Sequence, residues 1–129
     1  TVDAYISPWV GFVDAVPRLR IRVDGGEVTT SRTVDNPDLI NYTKRIGMGL
    51  GIFGPYNVQF IIDDSGKIFT TETNARFGGG CTLSIEAGLN IIDLIGDDYF
   101  NIDYEYKKGS WKKNLLMERA YRDFYFREE

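Results

Sequence analysis

The chain of 129 residues is long enough for one small domain with a modest core, and its 43% hydrophobic and 26% charged residues are typical of a globular protein. A net charge of −4 argues against a nucleic-acid partner, because phosphate binding normally shows as a basic surface. The lack of histidine excludes His-based triads and His–metal sites from this chain. A single cysteine and no apolar stretch long enough to span a bilayer favour a cytoplasmic protein without a membrane partner.

Alternating apolar and polar residues predict β-strands in the first third of the chain. The opening residues up to Ser7 read as one strand, residues 12–16 as a second strand that Pro17 bends or interrupts, and residues 28–34 as a third.

Three arginines follow Pro17 at alternate positions: Arg18, Arg20 and Arg22. Because alternate residues of a strand share a face, this spacing places three guanidinium groups together. The face is either solvated and paired with acidic side chains, or it approaches phosphate, whose oxygens match the planar guanidinium.

A helix is predicted to begin after Asn36, which offers an N-cap acceptor before Pro37 and Asp38. Helical apolar spacing continues to Leu50, and glycines at 47, 49 and 51 are expected to end the helix. We expect the helix to pack as scaffold on an apolar sheet face. That face is predicted to consist of Val58, Phe60, Ile62 and Phe69.

Two alternating runs, residues 57–62 and 68–74, predict a β-hairpin joined by the turn-rich residues 63–67. A loop of two or four residues would place four oxygen-bearing side chains on one face. A loop with an odd number of residues would put Gln59 and Glu72 on opposite faces. The four side chains are Asn57, Gln59, Glu72 and Asn74.

Oxygen ligands without Cys or His suit Mg²⁺ or Mn²⁺ better than zinc. Opposed side chains on paired strands have Cβ atoms about 5 Å apart, a gap that one or two small cations could bridge. On spacing alone, the other interpretation is the solvated face of an antiparallel sheet.

The glycine triplet at 78–80 indicates an anion-binding nest, a close pass of the backbone to a ligand, or a flexible turn. A helix is predicted from Cys81 or Thr82 to Gly88, and a short helical segment from Asn90. We expect Cys81 to be a packing residue rather than a nucleophile, because the chain offers no histidine partner.

Two features near the C-terminus are open to more than one interpretation. Asp97 and Asp98 form an acidic pair, which we expect in a solvated loop rather than in a catalytic site. The aromatic-rich residues 115–126 predict a final strand, although residues 114–121 could instead begin as a helix. We expect the aromatic side chains to cover the core or a partner lobe.

The motifs NVQF (57–60) and ETNARFGGG (72–80), followed by LS (83–84) and AG (87–88), resemble the C-terminal part of an ATP-grasp domain. The version found in the large chains of carbamoyl-phosphate synthases and related ligases is the most similar. The resemblance extends more loosely from Thr1 to about Gly96. Ala75 stands where many members have proline and Thr73 where an aliphatic residue is usual, but neither position is a ligand.

The resemblance implies roles for individual residues. Those that would hold Mg²⁺ or Mn²⁺ on the phosphates of ATP are Gln59, Glu72 and Asn74. Arg76 would act as the catalytic residue by contacting phosphate or the acyl-phosphate intermediate. Those that would contact the nucleotide are Arg18, Arg20, Asn57 and Arg76.

Pattern and resemblance together predict an α+β fold over residues 1–129, an antiparallel sheet of about six strands with two or three helices on one face. This would be the C-terminal lobe of an ATP-grasp fold. Because a Thr-Val-Asp run lies in mid-domain in the family, we expect a further N-terminal lobe, in cis or in trans. That lobe would carry the phosphate-binding lysine and the adenine pocket, so the isolated chain should be inactive.

The implied activity is ATP-dependent ligation, in which a small carboxylate is phosphorylated and the resulting acyl phosphate is attacked by an amine, ammonia or another nucleophile. One alternative is a non-catalytic module that binds nucleotide or metal for regulation or assembly. Another is a cation-binding domain that is indifferent to nucleotide. A homodimer is compatible with each interpretation.

Overall fold

A computed structural model describes residues 1–120 and 122–127. In these ranges the helices are α1 (Pro37–Gly49), α2 (Cys81–Ala87) and α3 (Ile91–Phe100). The strands are β1 (Val2–Ser7), β2 (Gly11–Asp24), β3 (Glu27–Thr33), β4 (Gly54–Ile62), β5 (Ile68–Asn74) and β6 (Leu116–Glu118). The strands form one sheet in the order β5-β4-β1-β2-β3-β6, with antiparallel neighbours throughout. The predicted α+β class with an antiparallel sheet is confirmed.

We expected the helices on one face of the sheet, but they lie on both faces. Ala4 of β1 packs in a cluster with Leu39 of α1, whereas its neighbour Tyr5 packs with Ala87 of α2 and Leu94 of α3. Because successive side chains of a strand point to opposite faces, α1 covers one face (the α1 face) and α2 and α3 cover the other (the α3 face). All six residues of β1 are buried, so each face of this central strand needs its own cover.

The strand β2 continues through Pro17 without a break. Pro17 lies opposite Val2 of β1, and its carbonyl accepts a hydrogen bond from the Val34 N–H at 2.9 Å. The two segments that the sequence separates at this proline are therefore one strand of 14 residues.

Helix α1 begins as predicted, because the Asn36 side chain caps it by accepting a hydrogen bond from the Leu39 N–H at 3.1 Å. Its packing surface differs from the expected one. Val58 and Phe60 belong to the cluster beneath α1, but Ile62 and Phe69 are 47% and 42% exposed. The helix lies over the central strands β1 and β2, so it leaves the distal end of the hairpin uncovered.

Asp98 belongs to α3 and not to a loop. It accepts hydrogen bonds from the Tyr5 hydroxyl at 2.6 Å, from the Ser7 hydroxyl at 2.8 Å and from the Tyr104 hydroxyl. The carboxylate thus ties α3 and the following segment to the end of β1. We expected neither this helix position nor these partners.

The predicted C-terminal strand is much shorter than expected. Its paired part is β6, which lies against β3, and Tyr121 falls outside the described residues. The aromatic side chains beyond it are exposed and do not cover the core: Phe124, Tyr125 and Phe126. No helix in the described part of the chain is long and apolar enough to cross a membrane.

Candidate functional site

Gln59 and Glu72 lie opposite each other across β4 and β5, and Asn57 lies opposite Asn74. Opposed residues share a face of the sheet, so the four side chains stand together on the α3 face. This is the arrangement that the sequence predicts for a loop with an even number of residues.

The loop itself has an odd length. Ile62 lies opposite Ile68, which leaves the five residues 63–67 between the strands. Thr71 restores the register as an extra residue of β5, because the pairing shifts between Gln59 and Phe60. This bulge, which the sequence did not reveal, returns Glu72 to the face of Gln59.

Asp63 organises the loop. Its Oδ1 accepts hydrogen bonds from the Ser65 hydroxyl at 2.6 Å, the Ser65 N–H at 2.9 Å and the Lys67 N–H at 2.9 Å. The bonds from Ser65 and Lys67 hold the pKa of Asp63 below its ordinary value of 3.8, the serine hydroxyl being the main cause. Gly66 adopts a φ of +82°, which suits a glycine in a tight turn.

Side chains from three strands are joined by hydrogen bonds on the α3 face. Arg20 of β2 donates to Gln59 Oε1 at 2.9 Å, and Gln59 Nε2 donates to Glu72 Oε2 at 2.6 Å. Asn74 donates to Asn57 at 3.4 Å. The structure therefore brings Arg20 to the predicted metal ligands, although β1 separates β2 from β4 in the sheet.

Arg18 forms a buried ion pair with Asp3, and each side chain is 2% exposed. The guanidinium donates from Nε to Asp3 Oδ2 at 2.5 Å and from Nη2 to Oδ1 at 3.1 Å, while the Ser84 hydroxyl donates to Oδ2 at 2.6 Å. Arg18 Nη1 is buried and has no hydrogen-bond partner among the described residues. Arg18 is therefore engaged by a carboxylate, and its unbonded Nη1 is itself buried.

The glycine loop, residues 78–80, lies directly against this ion pair. A Cβ atom at Gly78 would stand 2.9 Å from Asp3 Oδ1, and one at Gly80 would stand 2.5 Å from Arg18 Nη1. Both are closer than real Cβ atoms approach, whereas a Cβ atom at Gly79 would meet nothing within 4 Å. The glycines at 78 and 80 are thus required by close backbone packing, and the triplet is not merely a flexible turn.

A cavity of about 250 Å³ opens beside the glycine loop. All of the predicted site residues except Glu72 line it, and Glu72 is bonded to the lining residue Gln59. The lining residues are Thr1, Arg18, Arg20, Gly26, Glu27, Val28, Asn57, Gln59, Asn74, Arg76 and residues 78–80. The tertiary structure thus brings the predicted residues together, and the roles implied by resemblance stay predictions.

Arg76 lies two residues before the glycine loop and lines the cavity. Its Nη1 donates to the Phe77 carbonyl at 2.9 Å, and its own carbonyl accepts from Asn57 Nδ2 at 3.0 Å. Asn57 therefore positions the backbone that carries Arg76. The guanidinium has five N–H donors, so most of them are available to an anion.

Sequence reasoning missed Asp3, Ser84 and Glu27. Asp3 pairs with Arg18, Ser84 donates a hydrogen bond to Asp3, and Glu27 forms part of the cavity wall. A signal for Asp3 was present, since an acidic residue lies inside a short, otherwise largely apolar strand and needs a buried partner. Ser84 and Glu27 carry no comparable signal.

The donor set suits a divalent cation that also takes oxygen ligands from phosphate. Across residues 1–120 and 122–127, no group of three or more His, Cys, Asp and Glu side chains is placed to hold a metal ion. Glu72 supplies one carboxylate, and Gln59 and Asn74 supply amide oxygens. Mg²⁺ is commonly held by one or two carboxylates plus substrate phosphates, and one carboxylate with two amide oxygens is compatible with this mode of binding.

Cys81 begins α2 and is partly buried. Burial raises the pKa of its thiol above the ordinary value of 9.0. The thiol is therefore protonated at neutral pH, which agrees with a packing role and not with nucleophilic catalysis.

The comparison with protein families agrees with this geometry. A family model described as "ATP-grasp in the biosynthetic pathway with Ter operon" matches residues 1–118. The match includes every strand and helix of the described structure, the hairpin and the glycine loop. A search of curated proteins finds no match. The chain belongs to the ATP-grasp family, in the group associated with the Ter operon biosynthetic pathway.

Proposed function

We propose that this chain is the metal- and phosphate-binding lobe of an ATP-dependent carboxylate ligase that works through an acyl phosphate. Membership of the ATP-grasp family indicates an ATP-dependent, ligase-like function. The observation that carries the finer proposal is the convergence of Arg18, Arg20 and Arg76 with amide side chains around one cavity. Cationic and amide groups at this density match the oxygens of a polyphosphate.

Glu72, Gln59 and Asn74 would supply oxygen ligands to Mg²⁺ or Mn²⁺ at the cavity edge. When bound, the cation neutralises charge on the phosphates and polarises the group that is transferred. Gln59 Oε1 now accepts from Arg20, whose bond to Gln59 is exposed to solvent. An exposed bond of this kind contributes little, so Arg20 can turn from Gln59 to a phosphate oxygen.

Arg76 would stabilise negative charge on the phosphoryl group as it moves to the carboxylate. The carboxylate that receives the phosphoryl group is already ionised at neutral pH. Its phosphorylation therefore requires no general base, and we propose none. Arg18, which lines the cavity, would assist through the positive charge of its guanidinium. Electrostatic contacts of this type commonly contribute the largest share of the rate enhancement.

The remaining partners are part of the same proposal. A second ATP-grasp lobe, in cis or in trans, would complete the phosphate clamp and hold the adenine. The resemblance of the motif to carbamoyl-phosphate synthases suggests a reaction of that kind as the form of ligation. The carboxylate and the nucleophile would be selected largely by that second lobe and its loops.

Glu72→Gln in the complete protein tests the proposal. ATP consumption with Mg²⁺ and a panel of small carboxylates should fall at least about a hundredfold, because the one carboxylate of the metal set is lost. Asp64→Asn is the matched control, since Asp64 is an exposed acid in the loop of the same hairpin. Unchanged turnover in Glu72→Gln would contradict the proposal. Magnesium-dependent ATP binding without turnover in the unmodified protein would instead favour a regulatory module.

A further inference from the structure

Arg119 connects the end of the last strand to the glycine loop. Its backbone N–H donates to the Thr29 carbonyl at 2.8 Å, which continues the pairing of β6 with β3. Its side chain, 27% exposed, donates from Nη2 to the Gly79 carbonyl at 2.8 Å. Nη1 of the same guanidinium lies 3.7 Å from Glu27 Oε2.

Among the three carbonyl groups of the glycine loop, that of Gly79 accepts its hydrogen bond from a residue far away in the sequence. The Gly78 carbonyl accepts from the Cys81 N–H at 3.0 Å and the Gly80 carbonyl accepts from the Leu83 N–H at 3.2 Å, both within the local turn. Arg119, forty residues along the chain, supplies the bond to Gly79. A charged donor makes such a bond stronger than a neutral one.

Arg119 joins two parts of the cavity wall without lining the cavity. Glu27 and Gly79 both belong to the wall, at the start of β3 and on the glycine loop respectively. Arg119 instead lines a separate groove, which Arg22 also lines. It therefore acts on the cavity only through the residues that it holds.

The bond to Gly79 sets the direction of the next peptide N–H. In a trans peptide the carbonyl and the following N–H point in opposite directions, and the described residues contain no cis peptide. With the Gly79 carbonyl turned toward Arg119, the Gly80 N–H points away from it. Gly80 lines the cavity and Arg119 does not.

We propose that Arg119 is a positioning residue for phosphate binding, because it orients the Gly79–Gly80 peptide and ties it to Glu27. This inference rests on the proposed function, since the ligand of the cavity is taken to be a polyphosphate. Arg119 does not touch that ligand. Its loss would alter the loop and leave the cavity's own cationic side chains in place.

The test uses the ¹⁵N-labelled chain titrated with tripolyphosphate in the presence of Mg²⁺ and followed by NMR. Arg119→Met should weaken the apparent affinity at least about threefold and shift the Gly79 and Gly80 amide resonances before any ligand is added. Arg22→Met is the matched control, because it removes the same charge from the groove that Arg119 also lines. Arg22 pairs with Asp24 and has no bond to the glycine loop.

Arg119→Lys separates charge from geometry and serves as the second variant if Arg119→Met does not fold. Lysine keeps the charge but lacks the planar, forked guanidinium that reaches Gly79 and Glu27 together. The affinity of Arg119→Lys for tripolyphosphate should therefore lie between those of the unmodified chain and Arg119→Met. Equal weakening in Arg119→Met and Arg22→Met would overturn the inference, because charge alone would then account for the effect. Where the unmodified chain binds no tripolyphosphate, the proposed function fails, and unchanged Gly79 and Gly80 resonances in the Arg119 variants would separately overturn the positioning role.

Discussion

Arg18 and Asp3 form a bidentate ion pair directly beneath the glycine loop. The pair is almost wholly buried, and Ser84 of α2 donates a further hydrogen bond to it. The same contact therefore joins β1, β2 and α2, and the glycine loop packs directly against it. Arg18 also lines the cavity, so one side chain serves both the scaffold and the candidate site.

Removing one member of this pair should destabilise the fold strongly. Arg18→Met leaves the Asp3 carboxylate buried without its cation, and the expected loss is about 3–5 kcal/mol of unfolding free energy. The combined variant Asp3→Leu/Arg18→Met should be clearly more stable than Arg18→Met, since neither charge is then left alone. Urea unfolding measures both.

The matched control for the buried pair is Lys113→Met, which breaks an ion pair with Asp35 whose side chains are about half exposed. The expected loss is under about 1 kcal/mol, because solvent screens an exposed pair. Similar losses in Arg18→Met and Lys113→Met would show that the buried pair is not the structural anchor.

The glycine loop offers a test of close packing with an internal control. Gly80→Ala would place a Cβ atom 2.5 Å from Arg18 Nη1, whereas Gly79→Ala meets nothing within 4 Å. We expect Gly80→Ala to lose about 1–3 kcal/mol, the range typical of overpacking, and Gly79→Ala to be nearly neutral. Thermal unfolding compares the two, and equal stability would contradict the claim that the loop lies against the ion pair.

Stability should decline at alkaline pH through Tyr104. Burial, followed by the hydrogen bond to Asp98, raises the pKa of Tyr104 from 10.0 to about 12. Because the folded state holds this proton more tightly, the contribution is fully present below about pH 10 and is lost as the pH rises toward 12.

Tyr104→Phe should therefore flatten part of the fall in unfolding free energy between pH 10 and 12. Tyr99→Phe, at an 81% exposed residue of α3, should leave the pH profile unchanged. Denaturant unfolding at a series of pH values gives the comparison. Identical profiles for both variants would remove Tyr104 as a source of the alkaline decline.

Local hydrogen bonds and the alternation of apolar and polar residues made several helices and strands predictable from the sequence. The Asn36 cap and the turn residues around Gly66 act within their own segments, so α1 and the β4–β5 hairpin could be located without the fold. The pairing of Gln59 with Glu72 was predicted correctly, but for a loop of even length. The actual loop is odd, and the bulge at Thr71 compensates for it, a feature set by pairing across the strands.

The sequence by itself determined the strand alternation, the helix cap and the motif that places the chain in the ATP-grasp family, because each depends on residues close together in the chain. Only the tertiary structure decided that Arg18 pairs with Asp3, that helices cover both faces of the sheet and that Arg119 holds Gly79. A strand pattern places an arginine on a face but does not say which distant group lies opposite it. That choice is made by strand order and by the burial of β1 on both sides, and both arise from packing across the whole chain.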